Sequence, residues 1–161
     1  MSQQDERCIK LLIDRYEKKI FALVLSLIGG NKDKAYDIAT SSFAEALPLV
    51  SPLDNRETSL SKIAGIAFEK CRQSATVPSF DAPFVLDLPP EQKELLRIVN
   101  TALQALPFET KASLLLRDQA HLSYRNISGI MQTSENATRV MITKARIELR
   151  KKIEELLGRG G

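Results

Sequence analysis

The sequence is poor in the groups from which reaction centres are built. Its 161 residues include one histidine, His121, and two cysteines, Cys8 and Cys71, with no CxxC pair. Neither a metal site nor a disulfide framework is expected from that supply. No Ser/His/Asp set, phosphate-cradling glycine loop or pair of carboxylates in a cleft-forming context can be found, so neither an enzyme nor a cofactor is expected. Gly29-Gly30 lacks a following Lys-Ser/Thr and reads as a helix stop. Long hydrophobic runs are missing too. The run from Ile20 to Gly30, IFALVLSLIGG, is far too short to span a bilayer, so no membrane insertion is expected. The polar start MSQQDER precedes no apolar core with a cleavage site, which points to a cytoplasmic protein. Cys8 and Cys71 fall at helical core positions and are expected to be buried as small apolar groups. His121 is expected at the surface or in a cap.

What is present is a composition of 43% hydrophobic and 27% charged residues, that of a soluble globular chain. The net charge of +3 is unevenly placed. Residues 1–75 carry 11 Lys/Arg against 10 Asp/Glu, residues 76–100 carry 2 against 4, and residues 101–161 carry 10 against 6. The positive excess therefore lies in the C-terminal part, where it would serve a nucleic-acid face.

The hydrophobic pattern is helical throughout, with no strand period. Ile9, Leu12, Ile13, Tyr16, Ile20, Leu23, Val24 and Leu27 recur at three- and four-residue steps, predicting one long helix that Gly29-Gly30 ends. Asn31 is a candidate cap for a second helix, with Ala35, Ile38, Ala39, Ala46 and Leu47 on one side and a stop before Pro48. A third helix is predicted from about Thr58 to Arg72, with Leu60, Ile63, Ala64, Ala67 and Cys71 inward. The stretch SATVPSFDAPFVLDLPPEQ then holds four prolines and no sustained period, which reads as a linker. Its Phe80, Phe84, Val85, Leu86 and Leu88 are expected to pack on a domain or a partner. From Glu91 the helical pattern resumes through Leu95, Leu96, Ile98, Val99 and Leu103. After Leu106-Pro107 it continues through Phe108, Ala112, Leu115 and Leu116. The expected architecture is all-α: two small helical domains, residues 1–75 and 93–161, joined by a Pro-rich linker at 76–92.

The segment from Leu122 to Arg150, LSYRNISGIMQTSENATRVMITKARIELR, reads as two helices joined by a tight turn. Ser123 is placed to cap the first, which uses Tyr124, Ile127 and Ile130. Ser134 or Thr133 is placed to cap the second, whose inner side holds Thr138, Ile142, Ala145, Leu149 and Ile153. Between Arg139 and Lys152 six cations (Arg139, Lys144, Arg146, Arg150, Lys151, Lys152) face one anion, Glu148. A short amphipathic helix followed by a basic one is what seats a helix in the DNA major groove. The same basic run could instead be a solvated face paired with Glu148, Glu154 and Glu155.

These residues resemble the promoter-binding region 4 of extracytoplasmic-function sigma factors of the sigma-70 family. The matching elements are Leu106-Pro107, Leu116-Arg117, Leu122-Ser123-Tyr124, Lys144-Ala145-Arg146 and Leu149-Arg150. The N-terminal part looks like region 2 of the same family, where Ala35, Asp37, Phe43 and Leu47 match. The resemblance implies a transcription initiation factor that binds core RNA polymerase, directs it to promoter DNA and is controlled by an anti-sigma factor. It implies polymerase contacts from Asp37, Thr40, Ser41 and Phe43. It also implies DNA contacts from Arg125, Ser134, Glu135, Asn136, Arg139, Val140, Thr143, Lys144 and Arg146. Within that set the polar start Ser134-Glu135-Asn136 would meet base edges, and Arg139, Lys144 and Arg146 would hold phosphates.

The chain departs from the family pattern in both halves. Thr40 and Ser41 stand where region 2 usually has Gln and an acid. Ser59, Ile66 and Lys70 stand near the places of an aromatic, an Asn and an acid that help capture unstacked bases, leaving Phe68 as that helix's aromatic. Gln132 replaces the usual Gly of the turn, Ala137-Thr138 the usual Thr-Val, and Met141 an Arg. A sigma-like decoy that binds an anti-sigma factor without promoter recognition is the alternative. A helix-turn-helix regulator acting without polymerase is less compatible with the region-2-like half.

Overall fold

The computed structural model describes residues 3–51, 54–74 and 89–159. The linker hydrophobics Phe80, Phe84, Val85, Leu86 and Leu88 lie outside the described residues, as does the side chain of Cys8. Among the described residues there are helices and a single 3-10 turn, and no strand. The all-α expectation holds.

The N-terminal half is built from α1 (Gln3–Ile28), α2 (Lys32–Ala46), a 3-10 turn (Leu47–Leu49) and α3 (Arg56–Gln73). Gly29 and Gly30 adopt φ of 92° and 104°, and both donate their N–H to Leu25 O, closing α1. That left-handed backbone costs glycine nothing, and a β-carbon would resist it. Asn31 then caps α2 by accepting the N–H of Lys34 at 3.0 Å. Asn55 does the same for α3 with Thr58 N at 2.7 Å, so α3 starts two residues before the place predicted from its apolar period. The predicted inner residues Ala35, Ile38, Ala39, Leu60, Ile63, Ala64, Ala67 and Cys71 are all buried.

The C-terminal half comprises α4 (Pro90–Gln104), α5 (Phe108–Asp118), α6 (Tyr124–Met131) and α7 (Glu135–Arg159). Leu103, Ala112, Leu115, Leu116, Ile127, Ile142 and Ala145 form its core. Leu95 is 53% exposed, and the buried face holds Asn100, Ala102, Leu103 and Gln104. The reason is non-local: Gln104 faces inward because its amide donates to Ser26 O of α1 at 2.8 Å.

The two halves pack on one another through α1, α3, α5 and α6. This explains the run IFALVLSLIGG. From Ile20 to Leu27 α1 has no solvated polar face, since α2, α3 and α5 all lie against it. Phe68 of α3 stacks on Phe108 of α5 with centroids 5.6 Å apart, and Ile130 of α6 covers Gly65. Phe68 is therefore buried, at 4% exposure, and offers no ring to a nucleobase in this arrangement. Lys111, also buried at 5%, donates to Leu27 O and to Gln104 Oε1, both at 2.8 Å. Two side chains of the C-terminal half thus serve the terminal carbonyls of α1, which the helix itself leaves unpaired.

Candidate nucleic-acid interface

The helix-turn-helix is assembled by three local devices. Ser123 accepts the N–H of Asn126 at 3.1 Å and starts α6. Gln132 ends α6 in the left-handed region at φ 55°, ψ 49°, supplying with a side chain the bend for which glycine is the inexpensive residue. Ser134, the first of the two candidate caps, accepts the N–H of Ala137 at 3.0 Å and starts α7. Thr138, Ile142 and Ala145 are fully buried against α5 and α6, and this fixes which side of α7 faces outward.

That outward side gathers most of the residues implied to touch DNA. Ser134, Asn136, Val140 and Lys144 line one shallow depression, together with Ala137 and Met141. Glu135, Arg139, Val140, Thr143 and Lys144 are exposed, as is Arg125 on α6. Thr143 turns its hydroxyl back to Arg139 O at 2.9 Å, a bond internal to the helix. Arg139 lies over the Tyr124 ring, 4.6 Å from its centroid, and Arg117 over the same ring at 4.4 Å. Such contacts restrain a long cationic side chain at modest cost in entropy.

Arg146 differs from the expectation of a free phosphate contact. Its guanidinium is bound to Asp118 of α5 at 2.6 Å, and the bond to that carboxylate holds its pKa above the ordinary value. Both partners are about half exposed, so the pair is weak and a phosphate can replace the carboxylate. Among the described residues Glu148, Glu154 and Glu155 form no ion pair, so the cations of α7 are not neutralised along the helix.

The residues implied to meet polymerase lie on the other half. Thr40 and Phe43 line an apolar groove of about 630 Å³ between α1, α2 and the 3-10 turn, with Leu12, Phe21, Leu47 and Val50. Asp37 is exposed one turn before it. Ser41 is half-buried and donates to Ile38 O at 3.3 Å, which makes it the least available of the four.

Two residues missed from the sequence stand at the junction of the halves. Glu57 accepts the N–H of Ser123 at 2.7 Å and the amide of Asn126 at 2.8 Å. The bond from Ser123 N–H is the main influence holding its carboxyl below the ordinary value. Lys111 is pushed down to about 8 by burial, which the nearby Cys71 opposes. Burial pushes the Cys71 thiol up to about 12. Lys111 had a readable signal, because Phe108, Lys111, Ala112 and Leu115 share the three-and-four spacing of an inner face. His121 is exposed with φ of 58°, a surface turn residue. Among the described residues no cluster of His, Cys, Asp and Glu could hold a metal, and no helix is long and apolar enough to cross a membrane.

Comparison with known proteins gives the interface its context. Residues 96–149 match the family described as Sigma-70, region 4. The chain is 24% identical over 174 residues to the RNA polymerase sigma-H factor of Pseudomonas aeruginosa, covering 95% of this chain and 90% of that one. It is 23% identical over 178 residues to the ECF RNA polymerase sigma-E factor of Haemophilus influenzae, covering 98% and 93%. Among solved structures, the fold is similar to that of CnrH, determined in complex with the cytosolic domain of CnrY. The TM-score there is 0.70 at 16% identity, over 93% of this chain and 90% of that one. It is also similar to the sigma factor RpoE, determined with the anti-sigma factor NepR from Bartonella quintana. That TM-score is 0.64 at 15% identity, over 95% and 98%.

Proposed function

We propose that the chain is a diverged extracytoplasmic-function sigma factor of the sigma-70 family, supported by the region 4 match and the two curated relatives, and that its parts divide the work. It binds core RNA polymerase in the cytoplasm and directs it to specific promoters. Residues 1–75 form the polymerase-binding domain, residues 76–92 the connection, and residues 93–161 the domain that reads the upstream promoter element. The observation that carries this reading is the outward face of α7. Its polar start is open, its cations are unpaired along the helix, and it follows a capped helix-turn-helix inside the segment that matches region 4.

The groove admits one α-helix, and the first residues of that helix reach base edges. Asn136 and Glu135 are placed for that role, Val140 for the methyl of a thymine, and Arg139, Lys144 and Arg125 for phosphates on either side. Ser134 accepts the N–H of Ala137 as the cap, so its contribution is to orient the start of α7. Arg146 joins the phosphate contacts by exchanging Asp118 for the DNA backbone. On the N-terminal half, Thr40 and Phe43, which line the apolar groove, are assigned to polymerase together with Asp37 and Ser41 beside them. An anti-sigma factor is the expected regulator, in line with the complexes in which similar folds were determined. The decoy alternative has no use for an unpaired cationic helix and is not favoured.

The test is capture of core polymerase by the purified chain, then run-off transcription from genomic fragments. Defined start sites are expected. Arg139→Ala with Lys144→Ala should weaken promoter binding and reduce the slope of log affinity against log salt by about 1.8, two phosphate contacts at about 0.9 each. A chain that captures no polymerase would overturn the assignment.

A further inference from the structure

The outward side of α7 divides into two flanks of different chemistry. Arg139, Thr143 and Arg146 follow one another at steps of four and three residues on the first. Both arginines are held there, Arg139 over the Tyr124 ring at 4.6 Å and Arg146 by Asp118 at 2.6 Å. Thr143 donates its hydroxyl to Arg139 O, which leaves it no proton for a base. The second flank carries Ala137, Val140, Met141 and Lys144, again at helical steps. These four line the shallow depression at the start of α7, with Ser134 and Asn136 at its head. Between Asn136 and Lys144 its lining is apolar. Ala137 and Val140 are exposed there, Val140 at 49%, and Met141 is half-buried behind them.

An amide beside an apolar patch complements one kind of base pair. In the major groove an A·T pair presents the thymine methyl next to the adenine N6 and N7 edge, and Asn pairs with that edge in bidentate fashion. A G·C pair presents two guanine acceptors, which call for a cation, and a cytosine amino group, which apolar side chains would leave unpaired. The arginines stand on the other flank, and Lys144 is seven residues beyond Ala137, about 10 Å along the axis. From Ala137 to Met141 is about 6 Å along the helix, close to two base-pair steps of about 3.4 Å.

We propose that this depression is a thymine-methyl pocket, which makes the upstream element read by this chain a run of A·T pairs. Ala137, Val140 and Met141 receive the methyls of two adjacent thymines, and Asn136 takes the edge of an adenine. The inference deepens the reading of α7 as the promoter-facing helix and rests on it.

The experiment selects short duplexes from a random pool with the full chain at one fixed low salt concentration, since the face of α7 is open in the intact protein. The selected sequence is expected to hold at least two adjacent A·T pairs. Each of their thymines is then replaced by deoxyuridine, which removes the methyl and leaves the pairing intact. Each productive replacement should weaken binding about fourfold, the worth of one buried methyl. In Val140→Ala the same replacement should cost less than twofold, because the methyl has lost its partner. A selected site centred on guanine, or deoxyuridine duplexes bound as tightly as their thymine parents, would overturn the pocket and leave the DNA-binding reading standing. Equal sensitivity to deoxyuridine in Val140→Ala and the parent chain would also overturn it. A pool from which no sequence is enriched would refute the promoter-facing reading of α7, and the pocket with it.

Discussion

Replacing Lys111 by methionine tests whether the charge buried between the two halves governs the response of the fold to pH. Lys111 is 5% exposed, and burial lowers its pKa from 10.5 to about 8. Its value is lower in the native chain, so between pH 8 and 10.5 the unfolded chain binds more protons. Stability therefore rises with pH across that window. Below pH 8 the ammonium is charged in both states, and burying it costs roughly 3 kcal/mol. Between pH 7 and 9.5 about 2 kcal/mol of that cost should be relieved. Cys71 acts the other way. Its thiol is raised from 9.0 to about 12, so the native chain keeps a proton that the unfolded chain sheds. That removes roughly 0.8 kcal/mol by pH 9.5. The comparison is therefore made in a Cys71→Ala background. Methionine preserves the apolar stem and abolishes the titration, at the cost of leaving Leu27 O and Gln104 Oε1 without their donor. Urea unfolding of the lysine and methionine proteins at pH 7 and 9.5 should show the lysine protein gaining about 2 kcal/mol relative to its partner. A gap that stays constant over this range would refute the reasoning.

Two further outcomes are expected. Gln132→Gly should stabilise the chain by about 0.5–1 kcal/mol and raise its Tm by about 2 °C, because the left-handed turn no longer carries a β-carbon; a lower Tm in calorimetry would contradict that account. Tyr124→Leu should weaken duplex binding about threefold by removing the ring that restrains Arg139, whereas Tyr124→Phe should not; titrations in which both variants weaken binding equally would show that the hydroxyl matters and the ring does not.

The helices and their ends were legible because their causes are local. Gly29-Gly30, Asn31, Ser123 and Ser134 act on backbone groups within a few residues, and each stands where its apolar period begins or ends. The outward face of α7 was legible for the same reason, since Thr138, Ile142 and Ala145 fix the inner side by spacing alone. Asn55 capping α3 escaped notice because no apolar residue marks its position. The pairings across the junction were not legible, although the spacing of α5 marks Lys111 as inward-facing. The partners lie 66 to 84 positions apart, and no period links Glu57 to Asn126 or Lys111 to Leu27. The exposure of Leu95 has the same cause: α4 turns its amide-bearing side inward to meet α1, which only the assembled structure provides. Arg146 looked free because Asp118 is 28 residues away, on another helix.

The order in which a ribosome delivers these parts gives the junction a temporal meaning. Residues 3–74 contain all of α1, α2 and α3, with Glu57 and the terminal carbonyls of α1 in place. Their partners Gln104, Lys111, Ser123 and Asn126 emerge tens of residues later. At ordinary translation speeds the N-terminal half waits for several seconds, on the order of three to ten, before its cover exists. For that interval the nascent chain presents α3 with the Phe68 ring unscreened and the end of α1 unpaired, a form that the finished protein reaches only by coming apart.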